Sequence, residues 1–429
     1  MRGLFTLIHR WVGLMIAAFL LVSGLTGAVI SWDHELDDLI NPHLTHVEER
    51  GAPLPPLVLA RMFEERNPQA WATFIPLSVK EGEALSIFVQ GRVDPVAGQR
   101  YELGYNQVFL NPFTGDELGK RQWGAAWPIT SETFVSFLYV LHYSLHIPQF
   151  WGIDHWGMWF MGVIAILWAL DCFVGFYLTL PTRRAAKAGR DASVERKLAR
   201  SWRSRWAPAW RIKASGSGYR ISFDMHRAMG LWTWLALFIV AFTAFSLNFN
   251  GEIFRPLLST FSRVTPSPFE MREPREPHDP IYPRKGFAEI IAKAEAEAAA
   301  RGWDAPAGSV GYATSFGIYN VGFYHPGDDH GAAGVGPARL YYDAVDGSLL
   351  GEHVPWAGTV ADIFAQAQFP LHSGRILGLP GRILVSLIGI VVAALSVTGV
   401  IIWHRKRRAR IAMMRRRAEV AKLDAKPPE

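Results

Sequence analysis

Five histidines stand where they could hold iron. His9 and His226 each begin a His-Arg-x-x-Gly stretch, His9-Arg10-Trp11-Val12-Gly13 and His226-Arg227-Ala228-Met229-Gly230, that leads into an apolar segment. His372, in Leu371-His372-Ser373-Gly374-Arg375, lies ahead of another such segment. His142 and His146, in Leu141-His142-Tyr143-Ser144-Leu145-His146, lie ahead of the fourth. Imidazole binds iron through one ring nitrogen while the other takes a hydrogen bond. Histidines at both ends of apolar helices are therefore what a membrane protein needs to hold b-type haem between them.

His142 and His146 are spaced i, i+4, which predicts that they share one helix face. The glycine four residues after His9, and that four after His226, would lie one turn on and leave room for a flat macrocycle. The competing reading of either histidine is a ring at a helix end that only reaches into the headgroups. Arg10, Arg227, Arg375 and Arg382 could pair with haem propionates or be ordinary interfacial arginines. Asp171, an acid inside an apolar run, is a functional candidate because an ionisable group at membrane depth is costly. It could carry protons or brace a helix contact through Thr or Tyr. Six further histidines in the outer modules, His34, His43, His46, His325, His330 and His353, read as solvent-exposed.

Four apolar stretches must position these side chains: residues 11–30, 156–180, 230–247 and 383–403. Each is about long enough for a hydrocarbon core of roughly 30 Å, and the chain has 17 Trp and 26 Phe. The first stretch is longer than a signal-peptide core and reads as a retained helix. Residues 181–220 hold 12 Lys and Arg against 2 acids, and residues 405–429 hold 10 against 3. Residues 31–140 hold 8 against 15. The positive-inside rule then puts both termini and the 181–225 loop in the cytoplasm. Beside a membrane helix, the basic tail fixes topology and meets anionic membrane lipid rather than nucleic acid. A single cysteine, Cys172, excludes a disulfide framework.

The chain repeats itself. Residues 53–67 predict a helix, 85–90 and 108–110 strands, and Asn111-Pro112-Phe113-Thr114-Gly115-Asp116 a hairpin. In the second half, residues 285–301 predict a helix, 321–324 and 340–342 strands, and Asp343-Ala344-Val345-Asp346-Gly347-Ser348 the matching hairpin. The expectation is a membrane α-helical four-helix bundle with two periplasmic α+β modules and an internal two-fold repeat, its copies parallel. Its parts are a first transmembrane helix (1–31), a module (32–130), an interfacial helix with the second transmembrane helix (131–181) and a cytoplasmic basic loop (182–222). The third transmembrane helix (223–250), the second module (251–355), an interfacial helix with the fourth transmembrane helix (356–404) and a basic tail (405–429) follow. Pro380-Gly381 is expected to break the chain between His372 and the last helix.

These motifs, with Trp32-Asp33-His34-Glu35-Leu36-Asp37, resemble PepSY-associated transmembrane proteins over roughly residues 4–410. Among those are bacterial inner-membrane ferric-siderophore reductases. The resemblance implies PepSY-like modules and two haem b groups, with His9, His226, His372 and either His142 or His146 as iron ligands. It implies electron transfer across the inner membrane to Fe(III) in a periplasmic ferric siderophore, releasing Fe(II). No Gly-rich dinucleotide loop or flavin signature is present, so the electron donor would be quinol or another redox protein. The alternatives are a haem-free membrane protein that binds or regulates a periplasmic partner such as a peptidase, and a transporter built on the repeat. The transporter reading is weakened by the few polar residues inside the spans.

Overall fold

The structure, a computed structural model, describes residues 1–182 and 201–424. The middle of the expected basic loop, residues 183–200, lies outside the described residues. Two compact units form. One, the helical unit, gathers residues 1–29, 142–249 and 383–429; the other, the sheet unit, gathers residues 30–141 and 250–382.

In the sheet unit, eight antiparallel strands run β1 (Ala70–Pro76), β2 (Leu85–Gly91), β3 (Gln107–Leu110), β4 (Glu117–Arg121), β5 (Ala307–Ala313), β6 (Ile318–Phe323), β7 (Ala338–Asp343) and β8 (Leu349–His353). Their order is β4-β3-β2-β1-β5-β6-β7-β8. Where two modules were expected, there is one continuous sheet, joined where Ile75 of β1 pairs with Val310 of β5. Each half opens with a helix, Pro56–Arg66 or Phe287–Ala300. Leu59 and Phe63 of one helix share a single apolar core with Ile290 and Ala294 of the other, over Ile87, Val310 and Leu340. A strand buried on its core face against a helix must keep its register, because a one-residue slip would turn its apolar set outward.

The two hairpins form as expected, and in the same way. Asn111 and Asp343 each accept, through Oδ1, the backbone N–H two residues on. Gly115 (φ +75) and Gly347 (φ +74) then adopt the left-handed backbone that closes the turn.

An arginine ties two distant stretches of the sheet unit together. Arg382 donates to Ser31 O and to Glu35 Oε2 (2.7 Å), and its guanidinium lies 4.5 Å from the centre of the Trp32 ring. The hydrogen bond from Arg382 holds the Glu35 carboxyl down at about 2, against an ordinary 4.5. A carboxyl depressed on folding gives stability that is fully present above its unfolded pKa and lost as the pH falls towards the folded one. Thermal scans between pH 5 and 2 should show the wild type losing its advantage over Glu35→Gln across that window. Parallel pH profiles of the two proteins would contradict the anchor.

In the helical unit, among the described residues, three helices are long and apolar enough to cross a membrane: Arg2–Ile30, Trp156–Thr179 and the apolar part of Gly378–Asp424. The expected third span departs from a straight helix. It is a pair, Gly218–Trp232 and Trp234–Asn248, bent by 71° at Thr233, and counts as a fourth span only if the pair is taken as one. No proline causes the bend. Thr233 leaves helical geometry (φ −107, ψ 7), and the Trp234 indole N–H is taken by Cys172 O at 2.9 Å.

The last helix departs from expectation too. It continues through the basic tail to Asp424 without a break near residue 404. Its start is set by Gly374 (φ +74) and Gly378 (φ +62), not by Pro380, which sits in the first turn, where no amide donor is required. Arg2–Ile30 and Gly378–Asp424 approach closely at Gly24 and Gly389. A Cβ on Gly389 would lie 2.4 Å from Gly24 O, and one on Gly24 would lie 2.6 Å from Gly389 O. Small residues at such a crossing let two membrane helices meet backbone to backbone.

Candidate functional site

His9 lies in the Arg2–Ile30 helix and His226 in Gly218–Trp232, on different helices of the same unit. Their ring centroids are 6.1 Å apart, inclined at 58°. The structure brings side by side the two histidines that the sequence singled out. His9 donates from Nδ1 to both carboxylate oxygens of Asp171, at 2.9 and 3.0 Å. His226 donates from Nδ1 to Leu395 O, 3.1 Å away, with Thr398 Oγ1 also at 3.1 Å. With an acceptor on each Nδ1, the ligand lone pair of a neutral ring is on Nε2. Among the described residues, no hydrogen-bond partner takes either Nε2.

Asp171 meets His9 rather than a Thr or Tyr, the contact by which an outer carboxylate would orient a metal-bound imidazole. The sequence signal was the lone acid in the apolar run, but its partner could not be read from spacing. The glycines that press on the rings were also missed. A Cβ on Gly175, one turn beyond Asp171, would lie 3.4 Å from His9 Cε1, and one on Gly399, next to Thr398, would lie 3.4 Å from His226 Cε1. Gly13 and Gly230, singled out by sequence, line the cavity instead.

That cavity measures about 880 Å³ and lies within the helical unit. Its walls are mostly apolar, with Leu20, Trp168, Phe176 and Leu237 among them. Its cations are Arg2, Arg10, Arg227, Lys406, Arg407 and Arg410, and Asp171 is the one acid on its lining among the described residues. Arg227 donates from Nη2 to Asp224 Oδ1 (2.9 Å) and Pro208 O, while its Nε is buried without a hydrogen bond. Arg10 has no carboxylate partner among the described residues. Its Nε is buried without a hydrogen bond, and its guanidinium rests 5.2 Å from the Trp11 ring centre.

Haem can be tested against these observations. Two imidazoles sharing one metal, at about 2.0–2.1 Å per nitrogen, bring their ring centres roughly 6 Å apart. The observed separation fits, the cavity is near the upper end of the roughly 300–1,000 Å³ typical of ligand pockets, and the unpaired Arg10 suits an anionic edge. The residues present fit the group.

The second set of histidines is divided between the units. His372 belongs to the sheet unit, on the short Gln368–Ser373 helix that Gly374 ends. His142 and His146 belong to the helical unit. The expectation that these two share a helix face is overturned. The Ser131–Ser144 helix stops before His146, and Leu145 (φ +56) and His146 (φ +52) both take left-handed backbone. Non-glycine residues held there store strain, and such positions cluster at functional sites.

His142 follows the pattern of the paired histidines. Its Nδ1 donates to Ser23 O at 3.0 Å, Thr26 Oγ1 is 3.2 Å away, and a Cβ on Gly27 would lie 2.8 Å from its Cε1. Burial pushes the imidazole down to about 4, against the opposing pull of the Ser23 hydrogen bond, so the ring is neutral and fit to be a ligand. Arg375, expected to meet a propionate, instead faces Asp33 at 3.6 Å in the sheet unit.

No functionally curated protein matches the chain. The model of the PepSY-associated TM region matches residues 6–406, taking in the paired histidines, the sheet unit and all four apolar segments. With apolar helices that bring two half-buried histidines together, this chain is a membrane protein that belongs to the PepSY-associated TM family.

Proposed function

We propose that the chain is a b-type di-haem oxidoreductase of the bacterial inner membrane that passes electrons across it to reduce Fe(III) in a periplasmic ferric siderophore, releasing Fe(II). The observation that carries this reading is the His9–His226 pair, 6.1 Å apart at a cavity rimmed by cations, with each Nδ1 engaged and each Nε2 presented. His9 and His226 would hold one haem, and His372 with His142 or His146 the other. When bound, b-type haem supplies one-electron transfer between a donor and an acceptor that never meet.

The chain's own residues do the rest. Asp171 and the Leu395 carbonyl hold the two rings in one tautomer. Trp168, Phe176 and Leu237 exclude water, and Arg10 offers its guanidinium to a carboxylate edge. The electron donor would be quinol or another redox protein. Each Fe(III) takes one electron, and because hard oxygen ligands hold Fe(III) far better than Fe(II), the chelate lets go.

The helices read best as a four-helix bundle, the bent pair forming the third member. An internal two-fold repeat is supported by the matching hairpins at Gly115 and Gly347 and by the equivalent places of His9 and His226. Cytoplasmic termini are supported by the basic tail and loop, with the sheet unit then periplasmic. The test of the reaction is anaerobic. Dithionite-reduced protein, freed of excess reductant, is mixed with hydroxamate and catecholate ferric chelates in the presence of a ferrous chelator. Reoxidation of the haem bands with matching capture of Fe(II) is expected for at least one chelate; bands inert to all of them would reject the reductase.

A further inference from the structure

We propose that His34, Asp329 and His330 form a binding site for a divalent first-row transition-metal ion in the sheet unit. One ligand atom from each residue lies within 4.8 Å of the others. The two imidazoles are 5.1 Å apart between centroids and inclined at only 31°. The three residues come from parts of the chain almost 300 positions apart, so their meeting is a product of the fold and not of local sequence.

Each side of the site is held firmly. His34 is on the Asp33–Ile40 helix. That helix is fixed by the Arg382–Glu35 contact and by Arg121, a buried guanidinium that grips both oxygens of Asp37 at 2.7 and 2.9 Å. Asp329 and His330 lie on the loop between β6 and β7. Gly336 N–H donates to His330 O at 2.8 Å, and the Trp356 indole N–H donates to Ala332 O at 2.9 Å. Gly331 (φ +61), Ala333 (φ +52) and Gly334 (φ +82) give the loop a tight left-handed course. A Cβ on Gly334 would meet Arg375 at 2.4 Å, so the loop is packed against the Gly374-Arg375 turn. Positions this fixed suit ligands that must meet one ion.

The ligand set selects the ion. Two imidazole nitrogens and one carboxylate oxygen suit borderline divalent ions such as Fe(II) or Zn(II). Mg(II) and Ca(II) prefer all-oxygen sets, and Cu(I) prefers sulfur, which is absent from this set. Three protein ligands leave coordination positions open to water or a chelate, and His34 and Asp329 are exposed, so the ion can exchange. The charges facing the site are those of Asp33 and Arg375, which are 3.6 Å apart and offset one another. The site itself stands without the reductase reading. Only the identification of Fe(II) as its natural occupant rests on that reading, because Fe(II) is the ion the reaction would release.

The experiment uses full-length protein in detergent, treated with EDTA and titrated with Zn(II) against a fluorescent chelator. One site per chain is expected. His34→Ala, Asp329→Asn and His330→Gln should each weaken it by at least about tenfold, a loss seen even for residues that only orient metal ligands. His43→Ala removes an exposed histidine of the same unit that pairs with Glu132 at 3.0 Å, and should leave the site unchanged. Each variant is compared only if it keeps the wild-type thermal transition, and the two conservative variants guard against a lost fold. Anaerobic Fe(II), which an N/O site holds more weakly than Zn(II), should displace Zn(II) from the same site only when in large excess. The His9→Ala/His226→Ala double variant should bind Zn(II) as the wild type does, which separates this proposal from the reading of the haem site. Zn(II) binding that is unchanged in all three ligand variants, or equally lost in His43→Ala, would overturn it.

Discussion

His226→Ala protein purified from haem-replete cells should carry one haem where the wild type should carry two. The imidazole is held from behind by Leu395 O, with Thr398 Oγ1 beside it, and it faces His9 across 6.1 Å. Alanine removes one of two ligands and offers no nitrogen in its place. His9→Ala should have the same effect. The double variant should lose no more than either single one, since residues acting on one site are not additive.

Asp171→Asn is the graded control. It keeps a hydrogen-bonding group beside His9 but removes the charge, and should weaken haem retention by about 10- to 100-fold, the usual loss for an outer partner of a metal-bound histidine. Pyridine haemochrome assays measure all four proteins. Full wild-type haem in both single histidine variants would contradict the pairing.

Gly389→Leu should cost the helical unit its fold. A side chain on Gly389 meets the Gly24 carbonyl at 2.4 Å and Ala28 Cβ at 3.1 Å, so the obstacle is partly backbone and cannot rotate away. Overpacking commonly costs about 1–3 kcal/mol, and a rigid obstacle puts this variant at the upper end. A helix pair forced apart also loses the Ser386 hydrogen bond to Ala28 O. Gly3, with open space around its Cβ position, supplies the control as Gly3→Leu. Size-exclusion profiles and thermal transitions should separate the two variants. A Gly389→Leu protein as stable and monodisperse as Gly3→Leu would refute the close crossing.

The parts of this structure that sequence revealed are those with local signals. The hairpins were legible because Asn111 and Asp343 open turns that Gly115 and Gly347 close. His9 and His226 were legible as a pair because each begins the same short motif. The strands β1 and β5 were not legible. Residues 70–76 end in proline, and residues 307–313 are mostly Gly, Ala and Ser, which have weak strand preference; burial between other strands, visible only after folding, decides them.

For the same reason two modules were expected where one sheet forms, since the β1–β5 pairing is the least local one in it. The bend at Thr233 was hidden because neither proline nor glycine marks it. The loss of a common face for His142 and His146 was hidden because nothing in Leu145 announces left-handed backbone. Asp171 was visible as an anomaly, but its partner lies 162 positions away in the chain.

The account rests on haem, and haem can be counted. Wild-type protein expressed in haem-replete cells and purified in detergent is assayed for haem b and for protein in the same sample. Two haems b per chain, reducible by dithionite, are predicted. Colourless protein, folded by its thermal transition yet without haem, would contradict the account and leave a haem-free family member whose sheet unit binds or regulates a periplasmic partner such as a peptidase.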